Sequence, residues 1–235
     1  MADTESWQEI HTLPPNLRKL ASGVAAVFLS EYLMPHDHEA VSIPVDPQDP
    51  ESMDRLKDWA HGASFLVGKS LLATAGHVLG IRGTEVFGKH FLLGYQTNQA
   101  GEIKTHFPAN MALTAESLVD SQNFTYIDWG LLTVNRPAPA STQILRINEK
   151  DNLQPETPVF IIGHPLGLPA KYTGQGKVTA VEEQTFTIDL PIFMHHSGSP
   201  VFNASTNKVE GIVFNEDGYC FKICLLAELI RNHQG

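Results

Sequence analysis

Cysteine is scarce in this chain, which has two in 235 residues. Cys220 and Cys224 are four positions apart, and on a strand both would lie on one face. They would then be roughly 13 Å apart, well beyond the ~7 Å between Cα atoms that a disulfide spans. We therefore expect no disulfide framework, two small buried thiols, and a reducing compartment, the cytoplasm.

Clustered positive charge and long apolar runs are also missing. The net charge is −10, and no block of lysine and arginine offers the phosphate contacts that nucleic acid demands. No apolar stretch reaches the roughly 20 residues that cross a bilayer. The acidic start, "MADTESWQEI", lacks the basic and apolar regions of a secretory signal. We expect neither a nucleic-acid partner nor a membrane partner.

Short β-type runs fill the chain from about Ala63 onward. They are rich in aromatic and β-branched residues and are separated by turns rich in Gly, Pro and Asn. "NASTNK" and "NEDG" predict hairpin turns, because Asn, Asp and Gly tolerate positive φ. The strand segments are "ASFLVG", "SLLATA", "KHFLLGYQ", "WGLLTV", "PVFIIG", "KVTAVEEQTFTIDL", "SPVFN" and "VEGIVF". This pattern predicts antiparallel barrels or a sandwich, and "LLAELIRNH" predicts a closing helix.

Residues 1–60 have a different character. "LRKLASGVAAVFLSEYLM" contains an apolar run that is compatible with a strand or a helix. "VDPQDPESMDRLKDWAHG" predicts a loop that leads into a short helix, with Asp49-Pro50-Glu51 at its start.

Three residues at strand ends have the chemistry of nucleophilic catalysis. That chemistry needs a hydroxyl, an imidazole that takes its proton, and a carboxylate that orients the imidazole. Ser197 lies in "HHSGSPVFN", His77 in "LLATAGHVL" and Asp128 in "YIDWGLLTV". Asp120 and Asp189 are alternative carboxylates, and Ser197 is also compatible with an ordinary turn serine.

The order His, Asp, Ser and the sequence around each residue resemble the chymotrypsin-like serine peptidases. The resemblance covers about Gly62 to Phe221. It rests on the segments "SFLVGKSLLATAGHV", "DWGLL", "IIGHPLGLPAKY" and "SGSPVFNASTNKVEGIV". Within that family the chain most resembles the disulfide-free bacterial trypsin-like peptidases and the glutamyl endopeptidases.

The resemblance implies an all-β fold of two six-stranded antiparallel β-barrels with the site between them. The first barrel, with the histidine and the aspartate, would span residues 61–135. The second barrel, with the serine and the closing helix, would span residues 136–235. Residues 1–60 would form an irregular or helical extension that packs on or covers the barrels.

The resemblance also implies roles for individual residues. Ser197 would be the nucleophile, His77 the general base and acid, and Asp128 the orienting carboxylate. The backbone N–H groups of His195 and Ser197 would form the oxyanion hole. One wall of the primary pocket would consist of Pro191, Ile192, Phe193 and Met194. A segment that pairs with substrate as an added strand would consist of Phe214, Asn215 and Glu216.

Two histidines depart from the family pattern, since most relatives have Gly and then Asp or Asn before the serine. Histidine tolerates positive φ better than most side chains, so two outcomes are open for His195. Either it adopts the conformation that the oxyanion hole needs, or its peptide is flipped and the hole is closed at rest. His196 cannot pair with a freed N-terminal ammonium as an aspartate does. If the enzyme is latent, a partner or a substrate would therefore have to reshape the loop.

The specificity pocket also departs from the family. Pro191 stands where trypsin-type enzymes carry an aspartate, and Val213 stands where glutamyl-specific relatives often carry a histidine. We expect a small or apolar residue before the cut, although Glu216 and Asp217 could attract a basic side chain at the rim.

One further stretch has metal-ligand residue types. These are the residues of "HDHE", namely His36, Asp37, His38 and Glu39. Without a second ligand pair, a solvated acidic loop explains them better. We expect no metal and no cofactor.

These inferences predict a cytoplasmic serine endopeptidase that makes limited, regulated cuts in protein or peptide substrates through an acyl-enzyme. An activating protein partner is part of that hypothesis. The first alternative is a catalytically impaired pseudoprotease that binds peptides, and the second is a hydrolase of small esters.

Overall fold

The structure is a computed structural model that describes residues 7–35, 39–80, 83 and 85–234. Its strands, in chain order, are β1 (Gln8–Glu9), β2 (Val24–Leu29), β3 (Met34–Pro35), β4 (Ala40–Ser42), β5 (Ala60–Gly68), β6 (Leu71–Thr74), β7 (Lys89–Leu93), β8 (His106–Pro108), β9 (Ala112–Phe124), β10 (Ile127–Val134), β11 (Pro158–Gly163), β12 (Lys171–Val181), β13 (Thr185–Ile188), β14 (Pro200–Asn203), β15 (Val209–Val213) and β16 (Tyr219–Lys222). Its helices are α1 (Pro15–Ala21), α2 (Pro50–Asp54), α3 (Leu56–Trp59) and α4 (Ala227–His233).

The first barrel is closed, and its strands run in the order β10, β6, β5, β2, β7 and β9. Every neighbouring pair of these strands is antiparallel. The apolar run of ambiguous type is strand β2, because it pairs with β5 on one side and β7 on the other. The boundary that we placed at residue 60 is therefore corrected, since the first barrel takes one of its six strands from residues 1–60.

The second barrel contains β12, β11, β14, β15, β16 and β13 in that order, and pairing of β12 with β13 closes it. Strand β1 adds to its edge, with Gln8 opposite Tyr172 and Glu9 opposite Lys171. Val159, Ile161 and Val201 belong to the core of this barrel, whereas Phe160 and Phe202 face the other way and stack on each other with ring centroids 5.0 Å apart. The prediction of two six-stranded antiparallel barrels is confirmed.

Residues between β2 and β5 pack on the outer face of the first barrel. Alternate residues of β2 face opposite sides, so Phe28 points outward while Val27 fills the interior. Buried Leu33, Ile43 and Leu56 cover that outward face. This packing carries α3 to the loop Pro165–Gly167 of the second barrel.

The helices agree with the sequence signals. The Asp49 side chain caps α2 by accepting a hydrogen bond from the Glu51 N–H at 3.1 Å, which confirms the predicted start. The predicted closing helix is α4, which buries Ala227 and Ile230. Within the described ranges, no helix has the length and apolar character to cross a membrane. Cys220 and Cys224 are both free thiols, and Cys220 is buried.

Candidate active site

His77 and Asp128 form a hydrogen-bonded pair in the first barrel. His77 lies in the short 3-10 turn Gly76–Leu79 that follows β6, and Asp128 lies on β10, the next strand around the barrel. The Nδ1–H of His77 donates to Oδ2 of Asp128 at 2.6 Å, and the backbone N–H of His77 donates to Oδ1 at 3.0 Å. The carboxylate is buried, whereas the imidazole is 38% exposed. This tautomer leaves Nε2 free to accept a proton on the exposed side.

The two alternative carboxylates do not lie in this pair. Asp120 is exposed on β9, where its Oδ1 accepts from the Ser121 N–H. Asp189 accepts from the Lys177 N–H at 2.6 Å in the second barrel. Asp128 is therefore the carboxylate that orients His77.

Ser197 reaches the same cleft from the second barrel. Its carbonyl accepts from the Ala63 N–H of β5 at 2.8 Å, and the next N–H, of Gly198, donates to Val213 at 2.7 Å. Ser197 and His77 both line a cavity of about 390 Å³ between the barrels. Among the described residues, no hydrogen bond joins the Ser197 hydroxyl to the His77 imidazole. Ser197 and His77 thus meet at one cavity, and Asp128 is bonded to His77 beside it.

The segment before Ser197 is a tight turn, which we call the oxyanion turn and define as residues 193–196. The His196 N–H donates to the Phe193 carbonyl at 3.0 Å across this turn. His195, at its third position, has φ +68°, as a type II turn requires. The Met194 carbonyl accepts from the Leu166 N–H at 2.8 Å. Because a trans peptide is planar, the His195 N–H points away from Leu166. Of the two outcomes that we left open for His195, the positive-φ conformation is the one observed.

The His195 side chain is anchored outside the turn. Its Nε2–H donates to the Lys57 carbonyl of α3 at 2.8 Å. Burial lowers the pKa of His195, opposed by this hydrogen bond, so the imidazole is neutral at pH 7.

Two histidines near Ser197 are fully buried: His164, and His196, which is the last residue of the oxyanion turn. His196 Nδ1 accepts from the Phe193 N–H at 3.0 Å, and His164 Nδ1–H donates to the Leu168 carbonyl at 3.1 Å. The second bond stabilises the "GHPLGLP" loop. Burial lowers the pKa of His196 to about 3 and that of His164 to about 4. Neither Nε2 atom has a hydrogen-bond partner among the described residues.

Five of the seven predicted substrate-binding residues line one of two cavities beside His77. Phe193, Met194 and Glu216 line the cavity that holds Ser197 and His77. Phe214 and Asn215 line a second cavity of about 650 Å³ on the other side of His77.

Pro191 and Ile192 line neither cavity. Pro191 is exposed, and Ile192 packs against the core of the second barrel. The Phe214 N–H donates to the Tyr219 carbonyl at 3.1 Å, and β15 ends one residue earlier. That N–H is therefore not free to pair with a peptide strand.

Sequence reasoning missed one wall of the Ser197 cavity. Residues Lys57, Asp58, Ala60 and His61 form that wall. The fully buried Lys89 donates to His61 Nδ1 at 3.2 Å. Burial, and then the charge of Lys89, lower the pKa of His61. This arrangement leaves a neutral imidazole with its Nε2–H available to the cavity. The only signal for this wall is its position just before the "GASFLVG" strand.

Three of the four metal-type residues fall outside the part of the chain that the structure describes. His36, Asp37 and His38 lie outside the described residues. Within the ranges that are described, no group of three or more His, Cys, Asp or Glu side chains could hold a metal ion.

Known proteins share the sequence profile and the fold of this chain. A family profile described as the trypsin-like peptidase domain matches residues 62–212, which is well over half of the chain. The chain is similar in structure to an inactive serine-to-alanine mutant of Rv3671c from M. tuberculosis H37Rv, with a TM-score of 0.56 and 13% sequence identity. That similarity covers 94% of this chain and 92% of the other. No curated protein matches the sequence. The chain belongs to the trypsin-like peptidase domain family, and this membership implies a serine peptidase that acts on protein substrates.

Proposed function

We propose that this protein is a serine endopeptidase in which Ser197, His77 and Asp128 form the catalytic triad. The observation that carries the proposal is the Asp128–His77 pair, bonded at 2.6 Å, with the exposed side of the imidazole in the cavity that Ser197 lines. In many such enzymes the hydrogen bond between the base and the nucleophile is long without substrate and shortens when substrate binds.

The proposed chemistry proceeds in two balanced steps. Ser197 Oγ attacks the scissile carbonyl while His77 Nε2 takes the hydroxyl proton, and the same proton passes to the leaving amine as the C–N bond breaks. Water then attacks the acyl-enzyme ester. Its proton passes through His77 back to Ser197 Oγ as the acid product leaves. Asp128 stabilises the imidazolium that forms in each step.

The proposed oxyanion hole consists of the His195 and Ser197 backbone N–H groups. Two observations support it: the positive φ of His195, and the bond from Leu166 that turns the Met194 carbonyl away. Donors of this kind act on the charge that develops in the transition state.

Limited proteolysis extends the proposal. Charged side chains of Lys57, Asp58 and Glu216 line the Ser197 cavity, and such a lining favours a few matching peptides over broad digestion. Regulation by an activating protein partner and action in the cytoplasm remain parts of the same proposal. Pull-down from a cytoplasmic extract with Ser197→Ala as bait, followed by cleavage of the captured proteins with the parent enzyme, tests all three together.

The decisive experiment combines a fluorophosphonate probe with a peptide library. We expect the parent to be labelled at Ser197 and to cleave a restricted set of peptides, and we expect Ser197→Ala to do neither. Ser205→Ala, in the exposed turn after β14, is the matched control and should behave like the parent. Equal cleavage by the parent and Ser197→Ala would show that another residue is the nucleophile.

The alternative function, a peptide-binding pseudoprotease, is favoured by His195 and His196 in place of the family's usual residues before the serine. Absence of labelling together with saturable binding of library peptides would select this alternative.

A further inference from the structure

Each of the first three residues of the oxyanion turn has one contact outside the turn. The Phe193 ring packs edge-on against Trp7, with centroids 4.8 Å apart and planes at 86°. The Met194 carbonyl accepts from the Leu166 N–H, and the His195 side chain donates to the Lys57 carbonyl. Two of the three partners, Trp7 and Lys57, come from the first 60 residues.

Trp7 is fixed by strand β1, which follows it directly. The Glu9 carboxylate pairs with Lys171 of the second barrel, and it also accepts from the Thr97 hydroxyl at 2.8 Å. His11 Nδ1 lies 3.0 Å from the same hydroxyl. Because Thr97 follows β7 of the first barrel, the start of the chain is bonded to both halves of the molecule.

The other two contacts both depend on α3. Lys57 belongs to this helix, and Leu56 of the same helix lies against the loop that contains Leu166. A Cβ built on Gly167 would come within 2.5 Å of the Leu56 carbonyl, so the loop and the helix are in close contact. A shift of α3 would therefore move the partners of Met194 and His195 together.

The turn needs such support because its conformation is locally unfavourable. His195 and Leu166 both have side chains and both adopt positive φ, at 68° and 55°. Residues with a Cβ adopt this region at a cost, and they remain there when surrounding contacts over-determine them. Glycine, which would adopt it freely, is absent from both positions.

We propose that two residues from the first 60, Trp7 and Lys57, hold the oxyanion turn in its competent conformation. Trp7 is a positioning residue, and the Lys57 carbonyl is a second anchor. The inference rests on the proposed peptidase function and deepens it, since it names the element that controls the oxyanion hole. Trp7 packs behind Phe193 and lines neither cavity beside His77. Its effect would thus act through the turn rather than through substrate contact.

The test compares Trp7→Ala, Trp7→Phe and Gln8→Ala in the full chain. Gln8 is the matched control because it is the next residue in the chain and its side chain is exposed. Loss of one oxyanion donor costs about 10²–10³ in kcat. For Trp7→Ala, which loosens the turn without deleting the donor, we expect kcat to fall about tenfold with KM changed less than about twofold. Trp7→Phe should retain most of the activity because an aromatic ring remains, and Gln8→Ala should match the parent.

The outcomes separate this inference from the proposed function. Parental kcat in Trp7→Ala, or a change confined to KM, would overturn the positioning role while the parent's activity still supports the peptidase. An unlabelled, inactive parent would instead refute the peptidase itself. Melting curves show whether each variant is folded at the assay temperature. If Trp7→Ala is not folded, Glu9→Gln is the variant to use instead, because it weakens the pairing with Lys171 without removing apolar surface. Glu9→Gln should then lower kcat severalfold, and an unchanged kcat would overturn the inference.

Discussion

The two halves of the candidate site are built in different ways. In the first barrel, both carboxylate oxygens of Asp128 are bonded to His77; Asp128 lies on β10, and His77 lies in the turn that follows the neighbouring strand β6. In the second barrel, the turn before Ser197 includes one histidine at positive φ, His195, and ends in a fully buried histidine, His196. The contacts that hold this turn come from three separate parts of the chain.

The difference locates the point where activity is most easily changed. The base is positioned by strands whose backbone bonds are already formed, so moving it requires opening a barrel. The oxyanion turn depends on packing and on single hydrogen bonds, each of which contributes about 1 kcal/mol. We therefore expect regulation to act on the Ser197 half, whereas damage to the His77 half should be a loss of chemistry.

Asp128→Asn should give the largest loss of activity, because it disrupts the Asp128–His77 pair of the first barrel. An asparagine amide would donate to His77 Nδ1 and leave the proton on Nε2, the nitrogen that must accept from Ser197. The corresponding change in a Ser-His-Asp peptidase lowers kcat by about 10⁴, and we expect a loss of about 10³–10⁴ with little change in melting temperature. Steady-state kinetics on a library-derived peptide measures it.

Asp120→Asn is the control for that measurement. It removes the same charge from an exposed position on β9 and should leave kcat at the parental value. A loss of less than about tenfold in Asp128→Asn would show that the pair does not carry the chemistry.

The sequence predicts most of the fold because most strands are buried on at least one face. β5, β6, β11 and β15 are apolar runs between turn residues, and each was identified. The longest strand, β9, is not predicted because only two of its thirteen residues are buried and six are exposed, so neither alternation nor an apolar run marks it. β2 was left ambiguous because an apolar run fits a helix or a strand, and only its pairing with β5 and β7 decides.

Some residues of the candidate site can be predicted from the sequence, and others cannot. The segments around His77, Asp128 and Ser197 are local motifs, and the resemblance that rests on them is confirmed by the family profile. The catalytic roles of the three residues stay a prediction. Trp7 and Lys57 carry no motif, and their contacts with the oxyanion turn arise from tertiary packing over more than 130 residues. Sequence alone offers no signal for contacts of that kind.

Gly198→Ala should disrupt the junction between the two halves. Gly198 has φ +86°, and a Cβ there would lie 1.9 Å from the Ala63 carbonyl and 2.4 Å from the Thr74 hydroxyl, both in the first barrel. Positive φ costs an L-residue about 1–2 kcal/mol, and overpacking adds about 1–3 kcal/mol. We expect the free energy of unfolding to fall by about 3 kcal/mol, measured by urea denaturation, with loss of probe labelling.

Gly174→Ala separates the two contributions. Gly174 has φ +79° but open space where the Cβ would be, so only the backbone cost of about 1 kcal/mol applies. Equal destabilisation by the two substitutions would mean that the close approach of the barrels at Gly198 contributes nothing.

A smaller effect than that of Gly198→Ala concerns His196, the buried last residue of the oxyanion turn. The folded pKa of His196, about 3, lies below the ordinary value near 6.5, because burial disfavours the charged form. The folded state therefore binds fewer protons than the unfolded state. The stabilisation is fully present above pH 6.5 and is lost as the pH falls toward 3.

Between pH 7 and pH 5 this histidine should account for about 2 kcal/mol of lost stability. His196→Asn keeps an acceptor for the Phe193 N–H but does not titrate, so its unfolding free energy should fall by about 2 kcal/mol less over that interval. If parent and variant lose stability equally, protonation of His196 is not what weakens the Ser197 half at low pH.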